Sequence, residues 1–282
     1  LDFKKILSKI DYPADWVGIR YVEEIQNSLS TNNSDVDSIK RHCSKGVMID
    51  VLVDGQFAYY ATPYLDEQHI LQSIHTACEN AKRASKYSIY KFTQEEVRKG
   101  HEGTYRTNCS DSVMDLSISE VKDIALSGAE TLLRPKEIVH AAVSIELVQR
   151  TTKIYSTSGA NIDQKMDMAL IELSSTAKNK LDSQTRSNHG MRGHCYQTGA
   201  TFVKNYDIEQ EATMVSDQAV ELLLADQCPT EVTDLVLAPD QMMLQIHESI
   251  GHPLELDRIL GDERNFAGSS FVSLEDFGSL QY

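Results

Sequence analysis

The feature that most constrains the fold of this 282-residue chain is an order of helix-like and strand-like segments that occurs twice. In the first part, residues 2–10 have helical spacing, residues 46–62 read as a β-hairpin, and residues 66–86 read as a helix with a small-residue face. Asp54-Gly55 lies between the two β-rich runs of the hairpin and predicts a tight turn there.

The second part of the chain has a similar order. Residues 119–133 read as a helix, the next strand-like segments flank a turn at Ser158-Gly159, and residues 207–225 form a strong helical pattern. The two parts share too little sequence to prove a duplication. We therefore expect an α+β fold of two αβ lobes, each with an antiparallel sheet flanked by helices, followed by the start of a further, mainly β domain.

Polar stretches and changes in pattern suggest where modules meet. Residues 28–35 read as a turn, and residues 88–117 read as a connection. Later, the apolar segment 232–239 is expected to be a strand, and Asp240 is expected to cap a helix over 241–250. The domains predicted on this basis are a first α/β module, a second α/β module and the incomplete start of a third domain, at 1–95, 96–226 and 227–282.

Composition narrows the classes of function. Hydrophobic residues make up 41% of the chain and charged residues 24%, which are ordinary values for a globular protein. The formal net charge is −15 and no run of basic residues occurs, which argues against nucleic acid or an anionic membrane as a partner. No stretch of about 18 apolar residues occurs, so no membrane span is expected.

Cysteine usage indicates the redox compartment. The chain has five cysteines, an odd number, at long spacings and without a Cys-x-x-Cys pair. This pattern predicts neither a disulfide framework nor a zinc knuckle, and it favours a reducing compartment.

The sequence His-Glu-Ser-Ile-Gly-His, from His247 to His252, is the main candidate for chemistry. Zinc favours imidazole nitrogen, and catalytic zinc sites have about three protein ligands and an open position. A Glu beside the first His, here Glu248, is the usual general base for a water molecule in such sites. The residues alone also allow two ordinary histidines near a helix end, where the helix dipole favours a cation.

The spacing of the two histidines raises a geometric problem. Five residues correspond to about 140° around a straight α-helix, so the two rings would point apart. We expect the helix to break, because Gly251 can adopt the left-handed conformation that ends helices and Pro253 disfavours the α conformation at His252. His252 would then lie on a bend that returns its ring toward the metal.

Several acidic residues follow the motif. Glu255, three residues after His252, is either a candidate third metal ligand or an acceptor for a His N–H group. Asp262 and Glu263 fit a solvated acidic loop better. His189 and His194 lie in a Gly-rich segment and fit surface positions better than ligand positions.

With these residues in view, the segment from Pro229 to Phe271 resembles the signature region of the TldD/PmbA family, the modulator-of-gyrase-type metallopeptidases with a His-Glu-x-x-x-His motif. The match includes the strand-Pro lead-in and the motif itself, and it extends to Leu254-Glu255-x-Asp257 and Phe266-Ala267-Gly268. Upstream, the two hairpins and the Ala-rich helix are more diffusely similar to the family's first two modules.

This resemblance implies a zinc-dependent, cytoplasmic peptidase with His247 and His252 as zinc ligands and Glu248 as the catalytic base. It implies a homodimer, or a heterodimer with a family paralogue, in which this chain corresponds to the TldD-type subunit. It also implies that the substrates are unfolded or partly processed peptides, which bind as an added β-strand.

The resemblance further implies a third zinc ligand, a Cys in a later β-rich domain, and no Cys follows His252 here. We therefore expect the chain to be a fragment truncated after the motif, which by itself binds zinc weakly and has little activity. Glu255 is the alternative third ligand. The alternative function is a non-catalytic peptide-binding or scaffolding subunit of a heteromeric complex, which would hold no metal.

Overall fold

Four strands of 17 to 19 residues form the centre of one eight-stranded sheet in the computed structural model, which describes residues 1–97, 99–188 and 194–279. The strands are β1 (Trp16–Asn32), β2 (Asp35–Val53), β3 (Gln56–Thr62), β4 (Glu102–Arg106), β5 (Ile138–Ser156), β6 (Asn161–Lys178), β7 (Ser183–Ser187) and β8 (His194–Gln197). Their order is β3-β2-β1-β5-β6-β4, and β7 and β8 also pair with β6. All pairs are antiparallel except β4 with β6.

Helices flank this sheet and continue beyond it. They are α1 (Phe3–Leu7), α2 (Glu67–Ala84), α3 (Ile118–Leu132), α4 (Ala200–Lys204), α5 (Ile208–Leu222), α6 (Pro239–Ile246) and α7 (Leu256–Leu260). The predicted α+β class, with antiparallel strands and flanking helices, is confirmed. No helix in the described ranges is both long and apolar enough to cross a bilayer.

The two predicted hairpin turns are present. Asp54 and Gly55 join β2 to β3 with φ values of 51° and 78°, and a positive φ at both central residues is the signature of a type I′ turn. Ser158 and Gly159 lie between β5 and β6, and Gly159 has a φ of 94°. Both turns could be predicted because their geometry is set by adjacent residues.

Two of the predicted connections are partly strand. The turn expected over 28–35 is much shorter, because β1 continues to Asn32 and the chain reverses at Asn33, which has a φ of 53°. Leu29 in this stretch is buried and pairs with Ile145 of β5, so a distant strand overrides the local polar composition. The connection expected over 88–117 contains β4, which is held by pairing with the start of β6.

The sheet carries two large hydrophobic cores on one face, besides a small cluster of Ile138, Ala177 and Ala219. Ile19 belongs to a core closed by α1 and α2, and Leu29, on the same strand, belongs to a core closed by α3 and α5. The two residues are ten positions apart, and side chains an even number of positions apart on a strand share a face. All four of these helices therefore lie on one side, and the long strands connect the two lobes.

The strands of both predicted α/β modules join in this one sheet through β1 and β5. The boundaries at 95 and 226 stay predictions. In residues 227–279 the structure describes helices and turns and no strand, so the strand expected over 232–239 is wrong. That segment has no partner strand, and Val236 is 93% exposed. The helix that follows begins at Pro239 with Ala238 as its N-cap residue, earlier than the start expected at Asp240, and the side chain of Asp240 lies outside the described part of the chain.

Candidate metal centre

A change of helix type positions the motif. Helix α6 ends at Ile246 and continues as a single π-helical turn over His247–Gly251, followed by a 3₁₀ turn over His252–Leu254. The backbone N–H of His252 donates to the carbonyl of His247, which is the i→i+5 hydrogen bond of a π turn. The same two residues that carry the imidazoles are thus joined by the backbone bond that defines the wider turn.

This turn brings the two rings together. The ring centroids of His247 and His252 lie 4.2 Å apart at an interplanar angle of 63°. The expected convergence is present, but the expected route is wrong. Gly251 has a φ of −57° and is not left-handed, and His252 has a φ of −62°. Pro253 lies in the first turn of the 3₁₀ segment, where its missing N–H is tolerated.

The Glu248 carboxylate lies beside both imidazoles. Its Oε1 is 3.9 Å from His247 Nε2, and its Oε2 is 3.9 Å from His252 Nε2. One ligand atom from each of the three residues lies within 4.8 Å of the other two, and no other such group of metal-ligating side chains is found in the part of the chain that the structure describes.

These three residues fit a divalent metal ion. Two imidazole nitrogens and a carboxylate are donors that zinc accepts, at bond lengths of about 2.0 to 2.2 Å, which places tetrahedral ligands ~3.3 Å from one another. The observed spacing is somewhat wider. The side chains of His247, Glu248 and His252 are 50%, 61% and 28% exposed, so they have room to rotate inward.

Glu255 lies on the far side of the His252 ring. Its Oε1 accepts a hydrogen bond of 2.9 Å from His252 Nδ1, and its Oε2 is 3.0 Å from Arg258 Nε. The hydrogen bond from His252 and the nearby positive charge of Arg258 lower the pKa of Glu255. This position fits the role of an acceptor for a His N–H group better than that of a third metal ligand, because the hydrogen bond orients the His252 ring and leaves its Nε2 free.

Arg258 was not singled out from the sequence, although its spacing three residues after Glu255 on a helical turn is a usable signal. Asp262 and Glu263 do not join the metal-ligating group. His189 lies outside the described residues, and the same holds for the side chain of His194.

Comparison with known proteins adds sequence evidence. Residues 17–85 match the model of domain 1 of the PmbA/TldA metallopeptidases. Over 298 aligned positions, the chain is 23% identical to the metalloprotease MJ0996 of Methanocaldococcus jannaschii, and the alignment covers 100% of this chain and 64% of that protein. The chain thus spans less than two thirds of this relative's length.

Solved structures share the fold. A candidate modulator of DNA gyrase from Thermotoga maritima matches with a TM-score of 0.55 and 19% identity, over 76% of this chain and 46% of that chain. A second candidate modulator of DNA gyrase, from Bacteroides thetaiotaomicron, matches with a TM-score of 0.57 and 13% identity, over 78% of this chain and 49% of that chain. TldE from Thermococcus kodakarensis matches with a TM-score of 0.52 and 12% identity, over 77% of this chain and 45% of that chain. At these identities the likeness concerns the fold.

Proposed function

We propose that this chain, which belongs to the TldD/PmbA family, carries the metal-binding segment of a zinc-dependent peptidase. The observation that carries the proposal is the π turn, which joins His247 to His252 by a backbone hydrogen bond and places their rings 4.2 Å apart beside the Glu248 carboxylate. The match of residues 17–85 to domain 1 of this metallopeptidase family supports the proposal, and so does the similarity to a relative that is named as a metalloprotease.

Each residue of the motif has a distinct role in this proposal. His247 and His252 hold the metal through ring nitrogens, and Glu255 keeps the His252 ring oriented through Nδ1. Glu248 accepts a proton from the attacking water and later delivers a proton to the leaving amine. Zinc supplies the Lewis acidity that polarises the peptide carbonyl.

The proposed substrates are unfolded or partly processed peptides. An exposed site suits a backbone in extended conformation, since the motif side chains are open to solvent in the described part of the chain. All five cysteines are free, which supports a proposed location in a reducing compartment such as the cytoplasm.

We propose a dimer as the working assembly, formed with a second copy or with a family paralogue. Apolar side chains around the motif, among them Met243, Ile246 and Ile250, are 56%, 46% and 46% exposed, and such surfaces are commonly covered by another protein surface. Analytical ultracentrifugation of the natural protein, alone and with candidate paralogues, tests this part.

The activity is tested by the change Glu248→Gln in the natural protein. We expect the variant to keep its bound zinc, measured by elemental analysis, and to lose peptide cleavage. His247→Ala should lose cleavage and bind zinc more weakly, because one of the two imidazole ligands is removed. Cleavage that survives in Glu248→Gln contradicts the base assigned to Glu248, and a protein that works without any metal favours the scaffolding alternative.

A further inference from the structure

The helix-covered side of the sheet has an uncovered strip between its two cores. On one side, Phe3 of α1 packs on Tyr21, with ring centroids 6.0 Å apart. On the other side, Asn27 contacts Met114 of the 3₁₀ turn at Val113–Asp115. Tyr21 and Asn27 are six residues apart on β1, or about 20 Å. The side chains of β1 between them on this face, Glu23 and Ile25, are partly exposed.

The strand register defines the floor of this strip. Glu23 pairs with Lys45 on one side and with Thr151 on the other, and the row continues through Lys165 to Arg106. Five strands thus present one row of side chains on the same face, about 19 Å long at about 4.8 Å per strand. An extended chain of about six residues has the same length.

Positive charge in this strip is only partly neutralised. Asp163, in the next row, pairs with Arg106 at 2.9 Å and with Lys153 at 3.6 Å. Glu23 also lies in the row, beside Lys45, but neither Lys45 nor Lys165 forms an ion pair within 4.0 Å in the part of the chain that the structure describes, although the whole chain has a net charge of −15. Lysines left unpaired in an acidic protein mark a local positive field.

An apolar cavity adjoins the strip. It has a volume of about 410 Å³ and lies between β2 and α3, bordering the strip at Asn27 and Arg41. Ile39 and Ile118 on its rim are 54% and 48% exposed, and Leu116 and Leu147 close its base. A cavity of this size takes one or two apolar side chains.

We propose that the basic strip, defined by Lys45, Lys165 and Arg106, binds an acidic polypeptide segment that inserts an apolar side chain into the adjoining cavity. Charge complementarity identifies the occupant, since Lys45 and Lys165 are unpaired and lie three strands apart in the row, about 14 Å, which about four residues of an extended chain span. A single-stranded nucleic acid fits less well. The floor rows offer no aromatic ring on which bases could stack.

The test measures binding of a fluorescent peptide of about eight residues, seven glutamates and one leucine, by anisotropy. The protein carries Glu248→Gln, so that cleavage does not enter the signal. We expect binding that weakens as salt rises. The change Lys45→Glu with Lys165→Glu should weaken it at least about tenfold, and replacing leucine by glycine in the peptide should weaken it about tenfold as well.

Matched controls separate this surface from general charge. Lys86→Glu with Lys180→Glu makes the same change in net charge at exposed positions outside the strip and should leave affinity within about twofold, because most of its effect is screened. The neutral pair Lys45→Gln with Lys165→Gln should show an intermediate loss of peptide affinity. Because it introduces no new negative charge on the sheet, it keeps the test valid if the charge-reversed pair misfolds. The proposal is overturned by equal losses in both charge-reversed pairs, by no binding at low salt, or by tighter binding of an oligothymidylate. None of these results bears on the metal centre.

Discussion

The sheet and the metal motif are stabilised in different ways. In the sheet, Ile171 is fully buried in a core shared by β5, β6, α3 and α5. In the motif segment, Ile250 is 46% exposed, and the geometry of the site comes from one backbone hydrogen bond within the π turn. The fold of the sheet therefore depends on distant partners, whereas the shape of the motif depends on adjacent residues.

This difference explains how the site can be formed on a weakly buried segment. A π turn changes the ring positions of two histidines without any packing against the sheet. Because burial contributes most of the stability of a domain, we expect the sheet to carry the folding free energy and the motif segment to contribute little.

The largest expected effect is on stability. Ile171→Ala should lower the free energy of unfolding by about 2 to 5 kcal/mol, because it leaves a cavity in a closed core. The matched change Ile250→Ala should cost less than about 0.5 kcal/mol, as is usual at exposed positions. Urea unfolding followed by circular dichroism measures both. Equal losses would contradict the division between the two regions.

The second largest effect is expected on the zinc affinity of the motif segment. Glu255→Gln should weaken zinc binding about 10- to 100-fold, because the His252 ring loses its charged acceptor. Glu263→Gln, in a turn of the same segment and outside the metal-ligating group, is the control and should have no measurable effect. Competition with a zinc-sensitive dye gives both affinities. If Glu263→Gln lost more zinc affinity than Glu255→Gln, the orienting role assigned to Glu255 would be contradicted.

A smaller, pH-dependent effect is expected on the sheet side. Glu120 caps α3 through Ser117 and pairs with Lys204 of α4 at 2.7 Å. The hydrogen bonds from Lys204 and Ser117 lower the pKa of Glu120 from 4.5 to about 2. A carboxyl group with a depressed folded-state pKa stabilises the fold above the unfolded value, and this stabilisation is lost as pH falls from 4.5 toward 2.

Thermal unfolding across this pH range tests that contribution. Glu120→Gln should lower the midpoint near neutral pH, and its difference from the wild-type protein should shrink as pH falls through this window. Glu130→Gln, exposed on the same helix, serves as the control. A difference that grows on acidification would show that the pairing with Lys204 is not stabilising.

The smallest effect is expected at Gly251. Its φ is −57°, and a Cβ at this position would lie 3.7 Å from His247 Nδ1, an ordinary contact. Gly251→Ala should therefore leave zinc affinity within about twofold, since the α conformation suits alanine. A loss above tenfold would favour the left-handed bend that the sequence had suggested.

Local signals gave the correct part of the sequence-based prediction. The Asp54-Gly55 turn, the helix at Ile208–Leu222 and the α+β class follow from patterns within short windows. The length of β1 could not be predicted, because Leu29 is held in a strand by Ile145, 116 positions away. Such pairing is set by tertiary contacts.

The three side chains that lie together in the candidate site were singled out from the sequence, but their backbone conformation was not, and their roles stay predictions. The choice of His247, Glu248 and His252 required only their chemistry and proximity in sequence. The π turn was missed because the five-residue spacing was compared with an α-helix alone, and a break at Gly251 was the expected remedy. The spacing itself matches the i→i+5 bond, so the signal was present in the sequence.

The central claim is that one π turn directs two imidazoles to a single zinc ion. X-ray absorption at the zinc edge, on this chain loaded with less than one equivalent of zinc, tests it most directly. We predict scattering from two imidazole ligands at about 2.0 to 2.1 Å, reduced to one imidazole in both His247→Ala and His252→Ala. A zinc environment without imidazole, or one unchanged by either substitution, would contradict the account.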